Sequence, residues 1–167
     1  MSISSQKINK KRYKVIPRTL IFVFDDRDRV LLIKGSQNKE IWSGLLNGIG
    51  GHVERGEDLI EAAKRELEEE TGLKDISLIC CGQIMITVEK DLGVALFLFR
   101  GNYNGDKFGF SAEGKLTWVS LASLEKEQIV EDLPVLLPKA HQFKAGDPLI
   151  IGKYEYDSEQ RLTISLR

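Results

Sequence analysis

A chain of 167 residues with 42% hydrophobic content can bury one proper core, and its length argues for a single domain. A formal net charge of −1 gives no basis for a general nucleic-acid or membrane surface, so binding must come from a local site. No apolar stretch approaches the ~20 residues needed to span a bilayer. Residues 1–16 carry Lys7, Lys10, Lys11, Arg12 and Lys14 and read as a basic, flexible leader ahead of one domain over 17–167. Residues 19–24 and 30–33 are apolar, β-branched runs around Asp25-Asp26-Arg27-Asp28-Arg29, which predicts a hairpin. A looser stretch leads to Gly48. Asp58 with Glu61 three residues later makes a capping-box pattern, and Gly72 suits a C-terminal cap, so the spacing predicts a helix between them. Leu59, Ala62, Ala63 and Leu67 form its expected buried stripe, with the glutamates on the opposite side.

Residues 76–88 and 94–99 read as strands, followed by a Gly- and Asn-containing loop over 101–114 and a short strand over 116–121. Helical character over 121–137 is expected to be interrupted by Pro134 and Pro138. Residues 149–156 and 161–166 predict a closing hairpin around Asp157-Ser158. Cys80 and Cys81, adjacent in an apolar run, read as buried reduced thiols. Together with an N-terminus lacking the apolar segment of a secretory signal, they make the cytoplasm the expected setting.

The chemistry concentrates in residues 51–73. Glu66, Glu69 and Glu70 lie three and four positions apart, so a helix stacks them along one face. Like charges there repel unless a cation sits among them. Hard divalent cations take oxygen ligands and are bound through one or two carboxylates plus substrate phosphates, so the pattern points to phosphate chemistry. An acidic run is most often only a solvated helix face. That reading accounts for neither the framing glycines Gly51 and Gly72 nor Glu57 and Arg65 at their places.

The run Gly51, Glu57, Arg65-Glu66-Leu67, Glu69-Glu70, Gly72-Leu73 resembles the signature of the Nudix hydrolases at every defined position. The resemblance implies an α/β/α sandwich with a mixed sheet and a central catalytic helix. It also implies Mg²⁺, with Mn²⁺ as a substitute, held by the Gly50 carbonyl and Glu66, Glu69, Glu70 and Glu113. These glutamates are the implied catalytic set, with Glu66 the first choice as general base and Glu113 the second. Gly51, Glu57, Arg65 and Gly72 are implied to be architectural. Beyond the box, Asn47-Gly48-Ile49-Gly50-Gly51, Gly82-Gln83-Ile84, Glu113 five residues before Trp118, and the ending 153–167 are similar to the MutT-type branch that hydrolyses oxidised purine nucleoside triphosphates.

That branch implies hydrolysis of a nucleoside triphosphate to monophosphate and pyrophosphate. The implied partner is a small nucleotide, with no nucleic-acid polymer or membrane, and the chain acts as a monomer or homodimer. Thr19, Lys34, Asn47, Glu131 and Asp132 are its implied substrate contacts; for Asn47, Glu131 and Asp132, turn and helix-cap roles compete. Ile129 stands where a stacking Trp is expected, and Ile86 and Val88 where two Phe rings would be, which implies a broad or altered base preference. Other Nudix substrates, such as ADP-ribose or another nucleoside diphosphate derivative, are the alternative, though residues 87–93 lack the Pro or Tyr that relatives with those substrates carry. A non-catalytic nucleotide-binding module is the remaining alternative. Such modules commonly lose box glutamates, and all are kept here.

Overall fold

The computed structural model describes residues 9, 11–35, 43–109, 111 and 114–167. Among them, eight strands join in one mixed sheet: β1 (Lys14–Phe24), β2 (Arg29–Gly35), β3 (Leu46–Asn47), β4 (Ile79–Thr87), β5 (Leu92–Asn102), β6 (Gly114–Ser120), β7 (Ile150–Tyr156) and β8 (Leu162–Leu166). Their order is β3-β2-β1-β5-β4-β7-β8, with β6 on the other side of β2. The β1–β5 and β4–β7 pairs are parallel and the other pairs antiparallel. Helix α1 (Leu59–Thr71) covers one face and α2 (Leu133–Gln142) the other, giving the α/β/α sandwich.

The unbroken apolar run of β1 follows from this layering, because a strand covered on both faces has no side to expose. Leu20, Phe22 and Phe24 pack with Leu133, Leu136 and Leu137 under α2, while Ile21 and Val23 pack with Ala63 and Leu67 under α1. Every residue from Thr19 to Phe24 is buried. β1 and β2 form the expected hairpin but pair only through Val23↔Leu31 and Phe24↔Val30. Beyond that they part, and residues 46–52 fill the gap. Leu46 and Asn47 pair with Lys34 and Ile33 of β2, whereas Ile49 and His52 bridge to Ile21 and Arg18 of β1.

Several boundaries differ from the sequence expectation. β1 already begins at Lys14 and runs beside Leu92–Val94, so the last residues assigned to the leader are strand. Lys7 and Lys10 lie outside the described residues. The strand expected from residue 76 starts at Ile79. The helical stretch over 121–137 is instead a 3-10 helix at Leu121–Lys126 and a separate α2. Pro134 lies in the first turn of α2, where its missing N–H leaves no intrahelical bond unmade, so it opens the helix instead of interrupting it. Pro138 is accommodated inside. Cys80 and Cys81 are free thiols in β4; Cys81 is buried, and burial, with Cys80 beside it, pushes its thiol up to about 12. No helix among the described residues is long and apolar enough to cross a membrane.

Candidate active site

The site forms where the inserted segment meets α1. Asp58 Oδ1 accepts from the amides of Ile60 and Glu61, and Glu61 Oε2 accepts from the Asp58 amide, which fixes where the helix starts. Gly72 ends it in the left-handed conformation at φ +70°, its N–H donating to Glu68 O at 2.8 Å. With both ends fixed, the phase of every glutamate on α1 is set.

The loop before the helix is clipped to it by one side chain. Arg65 Nε and Nη2 donate to Glu57 Oε1 and Oε2 at 2.6 and 3.0 Å, and Nη2 also donates to His52 O at 3.0 Å. Its Nη1 donates to Glu66 Oε1 at 2.9 Å and Glu69 Oε2 at 3.1 Å. A planar guanidinium can satisfy a bidentate carboxylate and further acceptors at once; a Lys ammonium cannot hold the same fork. The Arg65 hydrogen bonds and the amide of Glu54 hold the Glu57 carboxyl below the usual carboxylate range.

The glutamates divide in a way that the amphipathic pattern does not predict. Glu70 is only 5% exposed, and the Gly50 amide donates to its Oε2 at 3.1 Å. The Glu66 side chain is 14% exposed and that of Glu69 58%. Glu66 is half-sunk because Gly51 makes room for it: a Cβ on Gly51 would meet the Glu66 carboxylate at 2.5 Å. Two of the three acids expected on the solvent side therefore face the inserted segment. Among the described residues no three His, Cys, Asp or Glu side chains converge at metal-ligand spacing. Arg65 draws Glu66 and Glu69, while Glu70 is held by the Gly50 amide. Glu113 lies outside the described residues. The two acids nearest the Gly50–Gly51 turn, Glu66 and Glu70, offer oxygen donors alone, the chemistry that suits a hard divalent cation.

The expected substrate contacts are spread around this centre. Thr19 is buried and lies on the α1 face of β1; its amide donates to Gly51 O at 2.8 Å, and Gly51 N approaches its Oγ1 at 3.5 Å. Asn47 is half-buried, its Oδ1 accepting from the Gly48 amide at 2.8 Å. Lys34 is exposed on β2. Asp132 is buried on the other face of the sheet, where the Tyr154 hydroxyl donates to its Oδ2 at 3.1 Å, and Glu131 beside it is exposed. The structure thus places Thr19 against the Gly51 backbone, and Asp132 with β7. Sequence reasoning missed Tyr154, whose contact with Asp132 spans 22 residues and leaves no local signal.

Acid titration follows from three lowered carboxyls, Asp25, Glu57 and Asp157, with Asp132, raised by burial, acting in the opposite sense. Burial pushes Asp25 up, but hydrogen bonds from Arg29 and Arg27 outweigh it and leave the group below its ordinary value. Glu57 is lowered as well. A carboxyl with a native pKa below its unfolded one contributes stability that is complete above the unfolded value near ~4 and is lost as pH falls through the native value. Thermal unfolding between pH 7 and pH 3 should therefore show a midpoint that drops below about pH 4, and Glu57→Gln should flatten that drop. An equally steep drop in the variant would remove Glu57 from the account.

Residues 14–140 match the NUDIX domain family. Over 149 residues the chain is 34% identical to the oxidized purine nucleoside triphosphate hydrolase of Danio rerio, which takes in 82% of this chain and 92% of that protein. It is 36% identical over 91 residues to the RNA pyrophosphohydrolase of Pelagibacter ubique, 52% of this chain and about half, 53%, of that relative's length. A solved mutator MutT protein from Bacillus halodurans superposes with a TM-score of 0.75 at 23% identity, over 91% of this chain and 97% of that one, and shares its fold. The chain belongs to the Nudix family.

Proposed function

We propose that this protein hydrolyses a phosphoric anhydride bond of a nucleoside triphosphate, releasing monophosphate and pyrophosphate. The observation that carries the reading is the pair of half-sunk and buried carboxylates, Glu66 and Glu70, held at the Gly50–Gly51 turn with Arg65 fixing the loop against α1. Their donor chemistry fits Mg²⁺, with Mn²⁺ as a substitute, and Glu66, Glu69, Glu70, Glu113 and the Gly50 carbonyl would hold it. When bound, such a cation neutralises charge on the phosphate oxygens and lowers the pKa of water. Glu66 takes the proton of the attacking water at Oε2, its Oε1 being engaged by Arg65. Arg65 keeps that carboxylate oriented, and Gly51 leaves the space it needs. Asn47, Thr19, Lys34, Glu131 and Asp132 bind the nucleotide. The similarity to the oxidized purine nucleoside triphosphate hydrolase supports a purine substrate. A cytoplasmic setting and action as a monomer or homodimer belong to the same reading.

The test is release of pyrophosphate and phosphate, with Mg²⁺, from canonical and oxidised nucleoside triphosphates, nucleoside diphosphates, ADP-ribose and NADH. Monophosphate plus pyrophosphate from triphosphates is the expected result. Cleavage confined to ADP-ribose or NADH would keep the metal chemistry and discard the triphosphate, while silence across the panel would leave a nucleotide-binding module without turnover.

A further inference from the structure

Ile86, Val88 and Ile129 leave the expected base site without rings of its own, yet the neighbouring strand brings two. β4 and β7 run parallel with Ile86 opposite Tyr154, so Tyr154 and Tyr156 stand on the same face of the sheet as Ile86, one strand further out. Tyr154 is 2% exposed and lies in the core beneath α2, where its hydroxyl donates to Asp132 Oδ2. A buried carboxyl in an apolar layer is costly unless it is hydrogen-bonded, and this phenol is the partner that holds it. Burial pushes the Asp132 carboxyl up, against the Tyr154 hydrogen bond. Tyr156, two residues on, keeps half its surface exposed, and its hydroxyl is raised by burial and by the nearby Glu131 and Asp132. Tyr156 therefore presents a half-exposed ring on the face of the sheet that carries Ile86, two residues along β7 from the Tyr154–Asp132 hydrogen bond. Both tyrosines lie beyond the stretch that matches the family.

We propose that β7 supplies the base-reading surface of this chain: Tyr156 stacks on the purine of a nucleoside triphosphate, and Tyr154 is a positioning residue that fixes Asp132 at the edge of the base. The proposal rests on the nucleotide reading above. A planar ring with one open side suits the π-face of any base and favours the larger bicyclic one. Asp132, with one oxygen held by Tyr154, presents the other to a base N–H. Were the Tyr154–Asp132 contact only a tie between β7 and the start of α2, its loss would lower stability and leave base preference untouched.

The experiment is calorimetric titration of the full chain with dGMP and dCMP, for the wild type, Tyr156→Leu and Tyr154→Phe, alongside KM and kcat for the triphosphates. Tighter binding of dGMP than dCMP by the wild type is expected, with a roughly ten-fold or larger loss of dGMP affinity in Tyr156→Leu. Tyr154→Phe keeps the ring and should shrink the dGMP-to-dCMP ratio, raising KM for purine triphosphates while kcat stays within about two-fold. Unchanged dGMP affinity in Tyr156→Leu would overturn the proposal, as would a wild type that binds neither monophosphate. So would a Tyr154→Phe protein that melts earlier with its base ratio intact. Monophosphate binding needs no turnover, so a wild type that binds dGMP but hydrolyses nothing would sink the hydrolase reading alone.

Discussion

Glu70→Gln is expected to lower kcat by roughly a hundred- to a thousand-fold or more while the protein stays folded. The substitution keeps the shape and an oxygen that can still accept the Gly50 N–H, so the 5% exposed position remains filled and hydrogen-bonded. What it removes is a negative charge from the site proposed to gather phosphate oxygens and a divalent cation. A loss of that size in kcat, with KM and the unfolding midpoint little changed, is the signature of a group used in the transition state. Turnover near the wild-type value would remove Glu70, and with it the proposed cation site, from the mechanism. Glu69→Gln provides the contrast: its side chain is 58% exposed and paired with Arg65 at the rim, so the smaller effect belongs there.

The largest effect on folding is expected from Gly50→Ala. Gly50 sits at φ +142°, and a Cβ there would lie closer to the Thr19 carbonyl oxygen than real Cβ atoms come to any neighbour. That obstacle is backbone held within the sheet, which cannot step aside as a side-chain tip could. Strained φ and overpacking together cost about 3 kcal/mol or more, equivalent to a fall of roughly 6–12 °C in Tm for a chain of this size. Gly146→Ala makes the comparison informative, since Gly146 also has a positive φ, +97°, but nothing within 4 Å. Only backbone strain, about 1 kcal/mol, acts there. Equal melting shifts in the two variants would show that the contact with Thr19 does not matter.

The parts of this structure that were legible in the sequence are those set by local chemistry. Asp58, Glu61 and Gly72 mark the ends of α1 because capping groups act within one turn of the backbone they satisfy. The spacing of Glu57, Arg65 and Glu66 made the clip between loop and helix legible for the same reason, all three lying on one loop and its helix. Glu70 was misplaced because an apolar-stripe argument assigns acids to solvent, whereas this one is buried against the inserted segment. The parting of β1 from β2 was hidden: it depends on Ile49 and His52 finding Ile21 and Arg18 about thirty residues earlier. In the sequence Pro134 reads as a break because its position relative to the true start of α2 at Leu133 is not set locally.

Because residues 46–52 are stitched to strands on both sides, the segment that carries Gly50 and Gly51 behaves as sheet and has almost no slack. Adding or removing a residue there would shift one row of hydrogen bonds against the other and turn the Glu70-facing amide away from the helix. The proposed hydrolytic centre is thereby closed to change by insertion. The β7–β8 hairpin, at the far edge of the sheet, carries no such constraint on its outer side among the described residues. With β7 as the proposed base-reading edge, a lineage of such proteins could exchange one nucleotide for another by altering that edge while leaving the proposed bond-breaking centre as it stands.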